Sequence, residues 1–259
     1  MKLRLIRGLG VVLVALITAQ IVSAGTITYV TPGGSATTDG SVDARAVFTL
    51  GANDVQITLT NLLENPTADG QLISALTFNV SGATGAASPT TLTTTNSGLI
   101  SKINSGGSYS AGTLDSLTHW QATEASTLIN LTTLTFAKPY VLIIGPDDTD
   151  GFSGTSLSGT GLYSNANSSI IQHDPVVLGT ATFNIAIAGV TTTSTLSNVV
   201  FQFGTTAGND TVNGATGIDT FGSPTVPEPS TLVMWSLLAG VFGVGGLRNR
   251  LRRTAIAAH

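Results

Sequence analysis

The chain has 259 residues and carries 10 Lys and Arg against 14 Asp and Glu, a formal net charge of −4; Ser and Thr make up about a quarter of it. Cysteine is absent, which excludes a disulfide framework and thiolate metal sites and leaves stability to packing and backbone hydrogen bonding.

At the N-terminus, Lys2, Arg4 and Arg7 precede an apolar stretch from Leu9 to Ala19, and Val22-Ser23-Ala24 forms a small-residue cleavage site. This order predicts a secretory signal peptide over residues 1–24, cut by signal peptidase between Ala24 and Gly25. The apolar stretch is short for a retained anchor.

The body that follows holds three basic residues, Arg45, Lys102 and Lys138, against thirteen acidic ones up to Val226, a net −10. Nucleic acid is therefore excluded as a partner, because phosphate binding needs clustered Lys and Arg. Val42, Ala44, Ala46, Phe48 and Leu50 alternate with mostly polar residues, as do Val55, Ile57 and Leu59 across a turn at Gly51-Ala52-Asn53-Asp54. The alternation predicts a hairpin with one buried face. Further strands are expected near Thr26–Val30, Leu72–Val80, Leu117–Ala122, Leu131–Phe136, Tyr140–Ile144, Val176–Ile187 and Val199–Phe203. Short β-branched runs without helical periodicity argue for an all-β domain over 25–205. The expected architecture is an antiparallel β-sandwich, jelly-roll-like, with a β-helix as the alternative that lacks its internal repeat. Phe78, Phe136, Phe183, Phe201 and Phe203 fall on its apolar positions.

Trp120 has two readings, a packed core residue or a ring that stacks on a sugar, and Tyr163 is the second aromatic candidate for such a platform. His119 and His173 are the two histidines of the body. No Gly-x-Ser-x-Gly elbow accompanies them, since Gly154-Thr155-Ser156-Leu157-Ser158 fails at its last position, and no zinc pattern occurs, so no enzyme is expected. The run Pro146 to Gly151 supplies Asp148 and Asp150 at calcium-loop spacing, but Pro146 stands where the first carboxylate belongs.

Residues 206–226 read as a polar Gly/Thr/Asp-rich linker. Within it, Gly-x-Asp-x-apolar occurs twice, at Gly208 with Asp210 and at Gly217 with Asp219, nine residues apart. Two turns fall short of a calcium-binding β-roll, which leaves calcium at Asp210 and Asp219 as the alternative to a simple stalk, with no cofactor as the main expectation.

The C-terminal stretch joins three features in order. Pro227-Glu228-Pro229 is stiff and extended, the tract from Leu232 to Leu247 is uncharged and apolar, and Arg248, Arg250, Arg252 and Arg253 follow. The tract is just long enough to cross a bilayer at about 1.5 Å per residue, and the arginines hold its far end in the cytoplasm. A membrane helix, with the body exported on the other side, is the expected arrangement.

This tripartite tail, residues 227–253, resembles the PEP-CTERM sorting signal of bacterial exported proteins. The resemblance implies recognition of Pro227, Glu228 and Pro229 by exosortase, transient anchoring in membrane lipid through the apolar tract, and delivery to the cell surface or extracellular polysaccharide. Tyr163 to Asn167, His173-Asp174-Pro175 and Ser197 to Gly208 also resemble segments shared by a group of such proteins, a likeness that implies a common β domain and supplies no catalytic residues. The expected role is structural or adhesive; the alternative is a carbohydrate-binding module.

Overall fold

The computed structural model describes residues 25–85, 88–147 and 161–217, all within one compact unit, Ala24–Ser223. The signal peptide with Ala24, the loop residues Asp148, Asp150 and Gly151, Asp219, and the whole tail from Pro227 through Leu232 and Leu247 to Arg253 lie outside the described residues.

The chain opens with β1 (Gly25–Val30), a small hairpin of β2 (Ala36–Thr37) and β3 (Gly40–Ser41), and the long pair β4 (Ala44–Leu50) and β5 (Asp54–Asn61). A 3-10 turn at Asp69–Gln71 leads into β6 (Ile73–Val80). Then come β7 (Thr90–Thr91), β8 (Thr94–Ser101), β9 (Ser108–Tyr109), β10 (Thr113–Asp115), β11 (Gln121–Ala125), β12 (Leu128–Thr132) and β13 (Ile143–Ile144). The last described segment holds β14 (Gly161–Leu162), the one-turn helix α1 (Ser168–Gln172), β15 (Val176–Ala186), β16 (Leu196–Phe203), β17 (Thr211–Asn213) and β18 (Ala215–Thr216). The fold is all-β.

The β4–β5 hairpin follows directly from its alternation. Ala44, Ala46, Phe48 and Leu50 on one strand, and Val55, Ile57 and Leu59 on the other, are fully buried, and Phe48 pairs with Ile57. Asn53 turns the chain at φ 58°, a left-handed conformation that Asn adopts more readily than most residues.

Hydrogen-bonded neighbours form two runs. One is β18-β1-β4-β5-β15-β8-β10 and the other is β17-β16-β6-β12-β11-β7, with β13 paired to both, parallel to β15 and antiparallel to β6. That parallel pair makes the sheet mixed, which corrects the expectation of a purely antiparallel arrangement. The main core lies between the runs. Phe48 of β4 meets Phe78 of β6 at 5.0 Å between ring centroids, and Tyr29 of β1 donates its hydroxyl to Leu196 O of β16 at 3.1 Å. A second buried cluster gathers Leu72, Ile103, Tyr109, Ile144, Tyr163 and Ile170.

Several expected boundaries move. The strand anticipated at Leu117–Ala122 begins only at Gln121, because Leu117 sits at φ 48° and Trp120 N closes a turn onto Leu117 O. The one anticipated at Leu131–Phe136 ends at Thr132, so Phe136 lies half-buried outside the core. The one anticipated at Tyr140–Ile144 contracts to two residues because Val141 turns the chain at φ 53°.

The segment read as a linker is part of the sheet as far as it is described. β17 pairs with β16, and β18 pairs with β1 through Tyr29↔Thr216 and Val30↔Ala215, followed by Gly217 N donating to Thr28 O at 3.0 Å. These short polar strands cover one edge of each run. β18 runs antiparallel to β1, so the chain leaves Gly217 heading toward Gly25.

Candidate functional site

Two of the three basic side chains of the body, Lys102 and Lys138, converge on one place. β8 ends at Ser101, so Lys102 stands just past a strand end, with its side chain exposed. The next residue, Ile103, donates its backbone N–H to both carboxylate oxygens of Asp174, at 3.0 and 3.1 Å. On the other side, Asp115 at the end of β10 accepts the Leu117 N–H at 2.7 Å, and that turn presents Thr118 and His119. The loop after β12 contributes Lys138 and Tyr140, with the lysine ammonium 5.1 Å from the centre of the tyrosine ring. At that separation a cation gains from the electron-rich face of the ring.

His119 packs against Phe136 at 5.1 Å and meets Tyr140 edge-on at 5.9 Å between centroids. His173 backs the same loop. Its Nδ1 donates to Pro139 O at 2.9 Å, since a carbonyl can only accept, and its Nε2 faces Asp69 Oδ2 at 3.8 Å. Lys102, Asp115, Thr118, His119, Tyr140 and Asp174 line a cavity of about 440 Å³. A second cavity of about 450 Å³, walled by Asn104, Ser110 and Thr113, continues from it, and the two share Ile100, Lys102 and Pro175. Lys102 thus stands at the junction of one longer groove.

Charges in the groove are unevenly committed. Burial pushes the Asp174 carboxyl above its ordinary range, while the Ile103 N–H and then the positive charges of Lys102 and Lys138 pull it back. Among the described residues neither lysine forms an ion pair, whereas both aspartates already hold backbone N–H groups. The groove therefore offers two cations without an ion-pair partner among the described residues, the Tyr140 ring on which Lys138 rests, and fixed carboxylate acceptors.

No family model, curated protein or solved structure matches this chain.

The two aromatic residues singled out in the sequence as a sugar platform are core residues. Trp120 is 1% exposed, donates its indole N–H to Val141 O at 2.8 Å, and packs on Phe183. Tyr163 is fully buried, donates its hydroxyl to Gly145 O at 2.8 Å, and packs on Tyr109. Neither ring has a face left for a sugar, because both satisfy their polar ends inside the core. Gly25, the expected first mature residue, opens β1 opposite Leu50.

Asp210 is also committed. Its Oδ1 accepts the backbone N–H of Thr38 at 3.1 Å and the Thr38 hydroxyl at 3.0 Å, which ties the β16–β17 turn to the β2–β3 hairpin. Asp147, within the run Pro146 to Gly151, is buried and accepts the Tyr109 hydroxyl at 3.0 Å and the Leu162 N–H at 2.9 Å. Among the described residues no three carboxylate or imidazole groups gather as a metal site. Likewise, none of the described helices is long and apolar enough to cross a membrane.

The residues that do form the groove include two that the sequence marked only by scarcity. Lys102 and Lys138 are two of the three basic residues between Gly25 and Val226, and their convergence was invisible without the fold.

Proposed function

We propose that this chain is an exported bacterial protein of the PEP-CTERM kind, whose body serves a structural or adhesive role at the cell surface or in extracellular polysaccharide. The reading is carried by one observation, the order Pro227-Glu228-Pro229, uncharged tract Leu232 to Leu247, then Arg248, Arg250, Arg252 and Arg253. In it, signal peptidase releases Gly25, the apolar tract holds the body at the inner membrane, and exosortase acts at the Pro-Glu-Pro triplet. The two strand runs with a shared core support a β-sandwich, jelly-roll-like in outline, as the exported body. Mass spectrometry of the protein from its own cells tests the proposal. The expected product begins at Gly25 and lacks the residues beyond the triplet; an intact tail on a protein at its final location overturns exosortase processing.

A second reading has a specific observation in its favour: the groove is lined by the half-buried Tyr140 ring, which carries the Lys138 ammonium, beside polar groups from several loops, the composition of a carbohydrate subsite. In this reading the body grips matrix polysaccharide, with Tyr140 and His119 taking the part first expected of Trp120 and Tyr163. Glycan binding that Tyr140→Ala abolishes supports it, and a protein that binds no glycan is a passive scaffold.

A further inference from the structure

We infer that the groove around Lys102 and Tyr140 selects acidic glycans, with a hexuronate residue placing its carboxylate at the Lys102 and Lys138 ammonium groups and a face of its ring against Tyr140. The inference rests on the carbohydrate-binding reading and adds the class of sugar.

Charge is the first argument. The body carries net −10 up to Val226, so an acidic polysaccharide is repelled over most of its surface and least where Lys102 and Lys138 offset the carboxylates of Asp115 and Asp174. Two of the three basic residues of that body flank this groove, and His119 lines it. Commitment is the second. The carboxylates of Asp115 and Asp174 are held in place by backbone N–H groups from Leu117 and Ile103, which turns them into fixed acceptors for sugar hydroxyls. The lysines form no ion pair among the described residues, Lys138 resting only on the Tyr140 ring, and a ligand carboxylate is the group they lack.

Shape is the third argument. Two cavities of about 440 and 450 Å³ meet at Lys102, Ile100 and Pro175, each within the range of small-ligand sites. A glycan of more than one ring fits such a groove with its carboxylate near the shared lysine. Nucleic acid is disfavoured, because two lysines fall well short of the phosphate contacts that binding to it needs.

The test uses the full chain in detergent micelles and isothermal titration with oligomers of galacturonate, mannuronate and glucuronate. Each is paired with its methyl ester, which keeps the ring and removes the charge, and a sulfated galactan oligomer is added. At least one uronate oligomer is expected to bind at least about tenfold more tightly than its ester, with added salt weakening it. The double variant K102Q/K138Q, altered only at exposed side chains, is expected to lose that preference, and Tyr140→Ala to lose binding altogether. Ester and acid bound equally, with Tyr140 still required, overturn the uronate inference and leave the carbohydrate reading intact. A sulfated oligomer bound more tightly than every uronate likewise overturns carboxylate selection. Binding to none of the oligomers overturns both.

Discussion

Trp120 donates its indole N–H to the carbonyl oxygen of Val141 at 2.8 Å, and Val141 is held at φ 53°, a conformation that a β-branched residue rarely adopts. The Val141 N–H is bonded in turn to Pro175 O at 2.8 Å, so both ends of the strained residue are secured. Tyr140 precedes it, and Trp120 therefore positions the groove from beneath. Replacing Trp120 with Phe leaves the Val141 carbonyl buried without its donor and is expected to cost about 1–3 kcal/mol. Trp120→Ala also opens a cavity against Phe183 and is expected to cost about 3–5 kcal/mol. Urea denaturation of both variants measures these losses.

Asp174 makes stability depend on pH. Burial raises its carboxyl pKa from the ordinary 3.8, so the folded protein holds that proton more tightly than the unfolded chain. Its contribution to stability is therefore fully present below pH 3.8 and declines as pH rises through the elevated folded value. Thermal melts from acid to neutral pH are expected to show that decline in the native protein and a weaker one in Asp174→Asn. Because Lys102 and Lys138 pull the value down, K102Q/K138Q is expected to move the Asp174 titration upward, as read from its carboxyl carbon resonance.

The bond from Thr38 to Asp210 gives a third test. Asp210→Ala frees the Thr38 amide and is expected to speed its hydrogen exchange, with a stability loss of about 0.5–1.5 kcal/mol. Calcium at Asp210 and Asp219 is tested directly by isothermal titration: heat that Asp210→Ala removes supports binding there, and no heat at millimolar calcium rules it out.

What could be read from the sequence depended on how each strand meets the core. β4, β5 and β15 bury apolar residues on alternate positions, and their pattern gave them away. β8 shows no such pattern, because its inward positions are Asn96, Gly98 and Ser101 and its ladder to β15 rests on backbone pairing. Trp120 seemed a strand residue on composition, yet the left-handed Leu117 before it makes a turn that no local preference announces. Thr211–Asn213 and Ala215–Thr216 pass for linker because such short strands carry almost no periodic signal. The groove needed the fold outright, since Lys102, Lys138 and Asp174 come from three separate segments that the β8–β15 pairing and the loop after β12 bring together.

The closing strand has a mechanical side. β18 grips β1 by two rungs and a single further bond from Gly217. A load arriving from the C-terminal direction meets those rungs one after another, peeling them as a zipper opens. The same force along β15 would have to shear two long ladders at once. Opening that short strip bares the β1 edge and leaves the long ladders of β15 intact.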